Sequence, residues 1–197
     1  MRDSLKYVAD WVQPGSQVLD LGCGDGELMA HLAAKDCTGY GLEIDKACIV
    51  AAIEKGVPVI EQNLDDGLSN FADQSMDVVI MTQALQATRR PDLAFAEMLR
   101  VGREAIITFP NFAHISHRFQ LGILGRMPVS RSLPYQWFDT PNIHLSTFYD
   151  FEQLCKSQNA TIIERQVVSQ STLGGRIVSL WPNLLGELAL YRVRGKA

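Results

Sequence analysis

Residues 18–28 read VLDLGCGDGEL: a short apolar run carrying Asp20, then glycines at 22, 24 and 26, then the start of a helical pattern. Branched and leucine side chains ending on a glycine-rich turn are what a buried strand needs when the chain must reverse sharply into a helix. In a doubly wound sheet such a strand stops at the ligand crevice, where glycines let the backbone approach a small molecule. A ligand site is expected on this turn.

Outward from it, short apolar runs alternate with helical segments through residue 110, the signature of βαβ units around a mostly parallel sheet. Residues 4–12 form a short amphipathic helix closed by Pro14 and Gly15. Strands are expected at 17–21, 38–44, 57–60, 76–81 and 105–109, and helices at 26–35, 46–55 and 91–100. Asp45 is a good N-cap, Gly56 suits a left-handed C′ position, and Pro91 opens its helix at the first turn. The polar stretch 62–75 reads as a connection.

Residues 111–146 break the rhythm, with Pro128, Pro134 and Pro141 among aromatic residues and no clear period. That is too long for a passive loop, so an inserted cap partly built of short helices is expected after strand five. Regular structure resumes with the capping box TFYD (Thr147, Asp150) and a helix to 158, followed by strands at 161–169 and 186–193, an antiparallel pair at the sheet edge. The chain, 1–197, is expected to be a single domain with a seven-stranded sheet.

Spacing and charge narrow the ligand. A dinucleotide fingerprint needs a glycine where Glu27 stands, and Asp25 and Glu27 set carboxylates where a pyrophosphate wants positive potential. S-adenosylmethionine carries a sulfonium and an ammonium and no phosphate, so Asp20 and Asp25 around a tight loop suit it better. Glu43, about twenty residues on at the end of strand two, can accept from both ribose hydroxyls. Ile44 can cover one adenine face, and Asn63 and Leu64 follow strand three where a side-chain carbonyl can accept from the adenine amino group.

Composition bounds the remaining classes. Hydrophobic residues make up 47% and charged residues 20%, a globular balance that excludes a disordered chain. A formal charge of −4 gives no net positive field for phosphate backbones, so nucleic acid is not an expected partner. No apolar run reaches the ~18 residues of a membrane span, and the start lacks a signal-peptide pattern, so a cytoplasmic protein is expected. Cys23, Cys37, Cys48 and Cys155 form no CxxC pair and read as reduced thiols, with no metal site expected. Cys23 between two glycines reads as a small residue that fits.

DLGCGDG with Glu43 downstream resembles the class I S-adenosylmethionine-dependent methyltransferases over residues 15–110. That resemblance implies their seven-stranded doubly wound α/β fold and a site for S-adenosylmethionine or S-adenosylhomocysteine on Asp20, Gly22, Gly24, Gly26, Glu43, Ile44, Asn63 and Leu64. Where many members carry Asp for the adenine amino group, Asn63 keeps an acceptor and drops the charge. A narrower match is carried by GYGLEID, VIEQNLDDGL, MTQALQATRRPD, ITFPNF, GRMPVS, LPYQWFDTPNIH and LWPNLLGELALYRV. Together these resemble the MetW family of methionine biosynthesis proteins across nearly the whole chain, which implies action alongside the homoserine O-acyltransferase.

Methyl transfer needs an acceptor in line with the sulfonium and often a base. Strand four ends Met81, Thr82, Gln83, Ala84, without the Asn/Asp and two prolines of amine-directed members. Gln83 is either a cofactor or substrate contact or a polar strand end. Among His114, His117 and His144, the last, just before a helix, is the candidate base for a free-standing small-molecule methyltransferase; a hydrogen-bonded structural histidine is the competing reading. Arg89 and Arg90 suit a carboxylate substrate, an acidic partner patch or plain solvation. Phe112, Phe119, Trp137 and Phe138 suit a pocket wall, a buried cluster or a protein contact.

Overall fold

The computed structural model describes residues 3–169, 178 and 180–196. In chain order these form α1 (Asp3–Trp11), β1 (Gln17–Leu21), α2 (Glu27–Ala33), β2 (Thr38–Glu43), α3 (Lys46–Glu54), β3 (Val59–Glu61), β4 (Met76–Thr82), α4 (Pro91–Val101), β5 (Gly102–Pro110), α5 (Ile115–Gly122), α6 (Phe148–Ser157), β6 (Ala160–Val168) and β7 (Leu188–Gly195). Single 3-10 turns lie at Leu64–Asp66 and Leu85–Ala87, and a short helix, Pro182–Leu185, leads into β7.

The seven strands make one sheet in the order β3-β2-β1-β4-β5-β7-β6. β1 to β5 are mutually parallel, while β7 runs antiparallel to both β5 and β6. The chain order reverses direction between β1 and β4, which puts the glycine turn after β1 at the switch point where doubly wound sheets bind ligands.

Alternation along the strands divides the core in two. Leu19, Leu21, Val79, Met81, Ile107, Phe109 and Tyr191 face α4 and α6, joining Phe95, Phe148 and Phe151. Val18, Val78, Ile80, Ile106 and Leu190 face α1, α2 and α3, against Val8, Leu28 and Leu32. β4 is buried on both faces, as a central parallel strand requires. The alternation sets Asp20 on the same face as Val18, inside the protein.

Local signals act as expected at the helix ends. Asp45 accepts the N–H groups of Ala47 and Cys48 at 2.8 and 3.0 Å, and Thr147 accepts that of Asp150 at 3.2 Å. Gly56 takes φ +78° after α3.

Several boundaries move for tertiary reasons. β3 begins at Val59 rather than 57, because Val57 still donates to the Ala52 carbonyl and is buried beneath the start of α2. β5 begins three residues early, at Gly102. Glu104 is held there by Arg192 at 2.6 Å and by Arg194, both on β7, so a polar segment gains strand partners across the sheet. α2 starts at Glu27, since Gly26 is left-handed and stands outside it. Within residues 111–146, α5 is the regular element, and its root is pinned by the fully buried Asn111.

Candidate functional site

The turn after β1 is built from three left-handed glycines, φ +73°, +55° and +73° at Gly22, Gly24 and Gly26. Their surroundings differ. A Cβ on Gly26 would stand 2.9 Å from that of Ala52, so this glycine lets α2 close against α3. A Cβ on Gly24 would meet nothing within 4 Å, so the space above the middle of the turn is open. At Gly22 a Cβ would come within 3.2 Å of Ala84, which ties the turn to the segment after β4.

Glu43, at the end of β2, latches this turn. Its Oε2 accepts the Gly24 N–H at 2.9 Å, and its Oε1 accepts those of Ile44 and Asp45 at 2.8 and 3.0 Å. A carboxylate has about four acceptor directions. Three are taken, so one remains on Oε2 for a hydroxyl, against the two expected from the sequence. The adjacent Ile44 side chain is 59% exposed beside this carboxylate.

Beneath the turn, Asp20 is 1% exposed and its Oδ1 has no hydrogen-bond partner. Burial, and then the neighbouring charge of Glu43, push its pKa up to about 7. A buried carboxyl group without a partner is costly. A cation placed in the open space above Gly24 would offset that cost, and an anion would add to it. The acidity of the site rests on Asp20 and Glu43, because Asp25 is drawn away to the Lys55 ammonium group at the end of α3.

After β3, Asn63 caps the 3-10 turn, with its Oδ1 accepting the Asp65 N–H at 3.0 Å and one acceptor direction left over. Asn63 and Leu64 line a cavity of about 520 Å³ with Leu21, Met81, Arg89 and Arg90. Arg90 is paired with Asp92, and the Arg89 guanidinium lies 3.7 Å from Asp65. A larger cavity, about 690 Å³, lies at the opposite end of the sheet between Ser16, Asp77, Arg103 and Arg192, away from the glycine turn.

Cys23 packs over Gly41 and is 8% exposed; burial first, then Asp20 and Glu43, push its thiol up to about 12. It stays a neutral thiol and fits the reading as a small packing residue.

The three cap histidines take different places. His117 is 2% exposed, with Nδ1 3.1 Å from the Asn111 carbonyl and Nε2 2.9 Å from Ser130 Oγ, so both ring nitrogens are engaged. His114 caps α5 through Ser116. Burial lowers the pKa of both rings. His144 is half-buried; its Nε2 faces the Arg89 carbonyl at 3.4 Å, and its backbone N–H binds the Gln86 carbonyl at 3.0 Å.

Gln86 and Asn111 are organising residues that the sequence reading passed over, and Lys55, which it set only at the end of the helix 46–55, holds Asp25. Gln86 is 4% exposed, donates from Nε2 to the Gln83 carbonyl at 2.7 Å, and its main-chain carbonyl holds Ile143 and His144. Gln83 itself is left-handed, φ +53°, with its N–H on the carbonyl of Thr108 at 2.8 Å. The N–H of Gln83 is therefore engaged inside the protein, and its carbonyl keeps one of its two acceptor directions. A polar pair following a strand buried on both faces was the signal available.

The model of the family described as "Methionine biosynthesis protein MetW" matches residues 2–193. A bifunctional methionine biosynthesis protein MetXA/MetW from Rhodopirellula baltica is 34% identical over 180 residues, 86% of this chain, and the chain spans 29% of that relative's length. Among solved structures, an S-adenosylmethionine-dependent methyltransferase from Mesorhizobium loti superposes with TM-score 0.71 at 14% identity, covering 97% of this chain and 95% of that one. The magnesium protoporphyrin IX methyltransferase of Synechocystis, solved with bound S-adenosylhomocysteine, gives 0.70 at 18%, covering 98% and 82%. The fold is that of the S-adenosylmethionine-dependent methyltransferases, and the chain belongs to the MetW family of methionine biosynthesis proteins.

Proposed function

We propose that the chain is a nucleoside-binding subunit of methionine biosynthesis that holds S-adenosylmethionine or S-adenosylhomocysteine and acts with the homoserine O-acyltransferase. The observation that carries the functional reading is the relative whose name joins MetXA and MetW in one chain. We take MetXA to be that acyltransferase. Fusion holds two domains at a high effective concentration, which supports a working contact between them.

For the ligand, the residues fit. Asp20 supplies a buried carboxyl group that a cation would relieve, and Gly22, Gly24 and Gly26 keep the turn tight, with open space over Gly24. Glu43 offers its remaining acceptor direction to a ribose hydroxyl, Ile44 an apolar face to the base, and Asn63 with Leu64 the edge that recognises its amino group. S-adenosylmethionine supplies an electrophilic methyl group wherever an acceptor can be aligned with it. In the turn after β4 the Gln83 N–H is held by Thr108, and the Gln83 carbonyl, which accepts from Gln86 Nε2, keeps one acceptor direction. In a binding subunit the nucleoside would report the level of the pathway's end product.

Co-purification of the chain with the acyltransferase of its own organism, and acyltransferase rates with and without the chain and either nucleoside, test this. A complex and a nucleoside-dependent rate are expected. Absence of both overturns the reading. The other reading, a free-standing small-molecule methyltransferase with His144 as base, is favoured instead if methyl-labelled cofactor labels an acceptor in extract and His144→Gln abolishes it.

A further inference from the structure

The cavity of about 520 Å³ beside Asn63 has a cause in the path of the chain. Residues 62–75 carry the chain from β3 across to β4, a step that parallel sheets usually make with a helix, yet the regular structure in this stretch is the single 3-10 turn Leu64–Asp66. A thin loop leaves room between itself and α4, over the buried side chains of Leu21, Leu68 and Met81. The volume is that of a small-molecule pocket. Its lining takes nothing from the glycine turn at 22–26 or from Glu43, so it lies beside the place proposed for the nucleoside.

Five charged residues line this cavity, and pairing within the protein accounts for three of them. Arg90 donates to both oxygens of Asp92, at 2.9 and 2.7 Å. Glu97 accepts from Arg100 on both oxygens, at 2.8 Å each, and from the Leu68 N–H at 3.1 Å. Asp65 Oδ1 accepts the Arg89 N–H at 2.8 Å, which ties the 3-10 turn to the segment that opens α4. The Arg89 guanidinium and the Asp66 carboxylate are left over. The Arg89 side chain is 82% exposed, its Nε stands 3.7 Å from Asp65, too far for a hydrogen bond, and its two terminal amino groups have no partner among the described residues. Asp66 is exposed, and its carboxylate also has no partner among the described residues.

An apolar floor with one free charge of each sign at the mouth limits the occupant. A phosphate or a dicarboxylate sets a negative charge against Asp66, a polyamine sets a positive one against Arg89, and a neutral base uses neither. A zwitterion with an apolar tail uses all three parts. We infer that this cavity binds a free α-amino acid with an apolar side chain. The side chain rests on Leu21, Leu68 and Met81, the α-carboxylate takes the two terminal amino groups of Arg89, and the α-ammonium group takes Asp66. Asn63 caps the same 3-10 turn and is the proposed adenine contact, so the two ligands share a wall and not a site. The inference stands independently of the nucleoside and of the protein partner proposed above.

Titration calorimetry of the full chain with L-methionine and with its sulfur-free counterpart L-norleucine, each with and without saturating S-adenosylhomocysteine, tests this. Both amino acids are expected to bind with Kd below about 1 mM, and to go on binding when the nucleoside is present. L-norleucinamide, N-acetyl-L-norleucine and glycine each lack one of the three contacts and should bind at least about tenfold more weakly. Arg89→Gln should weaken L-norleucine by a similar factor and erase its advantage over the amide. Asp66→Asn should do the same against the N-acetyl compound. Both side chains are exposed, so both variants should fold, which thermal unfolding verifies. Arg103→Gln, in the cavity at the opposite end of the sheet, is the control and should leave binding unchanged. A wild-type chain that binds neither amino acid overturns the inference. Complete displacement by S-adenosylhomocysteine also overturns it, because the amino acid then occupies the nucleoside site, and so does an affinity indifferent to both variants. A chain that binds the amino acids through Arg89 and Asp66 but binds no nucleoside supports the inference and removes the nucleoside reading.

Discussion

The Gly24 N–H donates to Glu43 Oε2 at 2.9 Å, so the side chain at the end of one strand holds the middle of the turn that follows its neighbour. One carboxylate therefore both shapes the glycine turn and keeps an acceptor direction for a ligand. These two duties fall together when the side chain is removed.

Glu43→Ala is expected to lower nucleoside affinity by at least about tenfold, since charge-assisted bonds to three N–H groups disappear along with the ligand's acceptor. Glu43→Gln should fall between the two, because its amide nitrogen must face an N–H group. Titration calorimetry gives the order. Equal affinity in wild type and Glu43→Ala would remove Glu43 from the site.

The buried carboxyl group of Asp20 sets a dependence on pH. Its pKa is raised from 3.8 to about 7, so in this range the folded state binds a proton that the unfolded chain has released. Its contribution to stability is complete below about pH 4, declines as pH climbs towards 7, and is flat above. Affinity for a cationic nucleoside runs the other way, roughly tenfold tighter at pH 8 than at pH 6, as the carboxylate forms. Asp20→Asn should abolish both slopes. Melting and calorimetry across pH 4–8 check this, and identical slopes in wild type and variant contradict it.

Two glycines of the same turn should fail differently. Gly24→Ala places a methyl group in open space at a left-handed position and costs about 1 kcal/mol. Its larger effect should be on nucleoside binding, because the methyl occupies the space above the turn. Gly26→Ala meets Ala52 at 2.9 Å as well as the backbone penalty, and should cost roughly 2–4 kcal/mol. Adding Ala52→Gly should recover only part of the steric cost, because Val57 Cγ2 at 3.1 Å and the Cα of residue 52 at 3.2 Å remain. Urea unfolding separates these outcomes, and equal stability for the two single variants would contradict the assignment.

The order of elements, the parallel sheet, the edge pair of antiparallel strands and the position of the glycine turn were all legible in the chain, because each depends on local period, capping and glycine placement. Asp45, Gly56 and Thr147 act where their neighbours in sequence require them. The functions of Gly24 and Gly26 were not separable that way. Both have the same backbone, and only the approach of Ala52, twenty-six positions away in the chain, makes one a packing residue and leaves the other open. The same holds for the electrostatics: Lys55 removes Asp25 from the acidic site, and burial beneath the turn makes Asp20 its centre. Sequence alone settled which kinds of group surround the turn. Which of them stay unpaired beside the turn was decided by long-range packing, since desolvation and side-chain pairing arise only when distant segments meet.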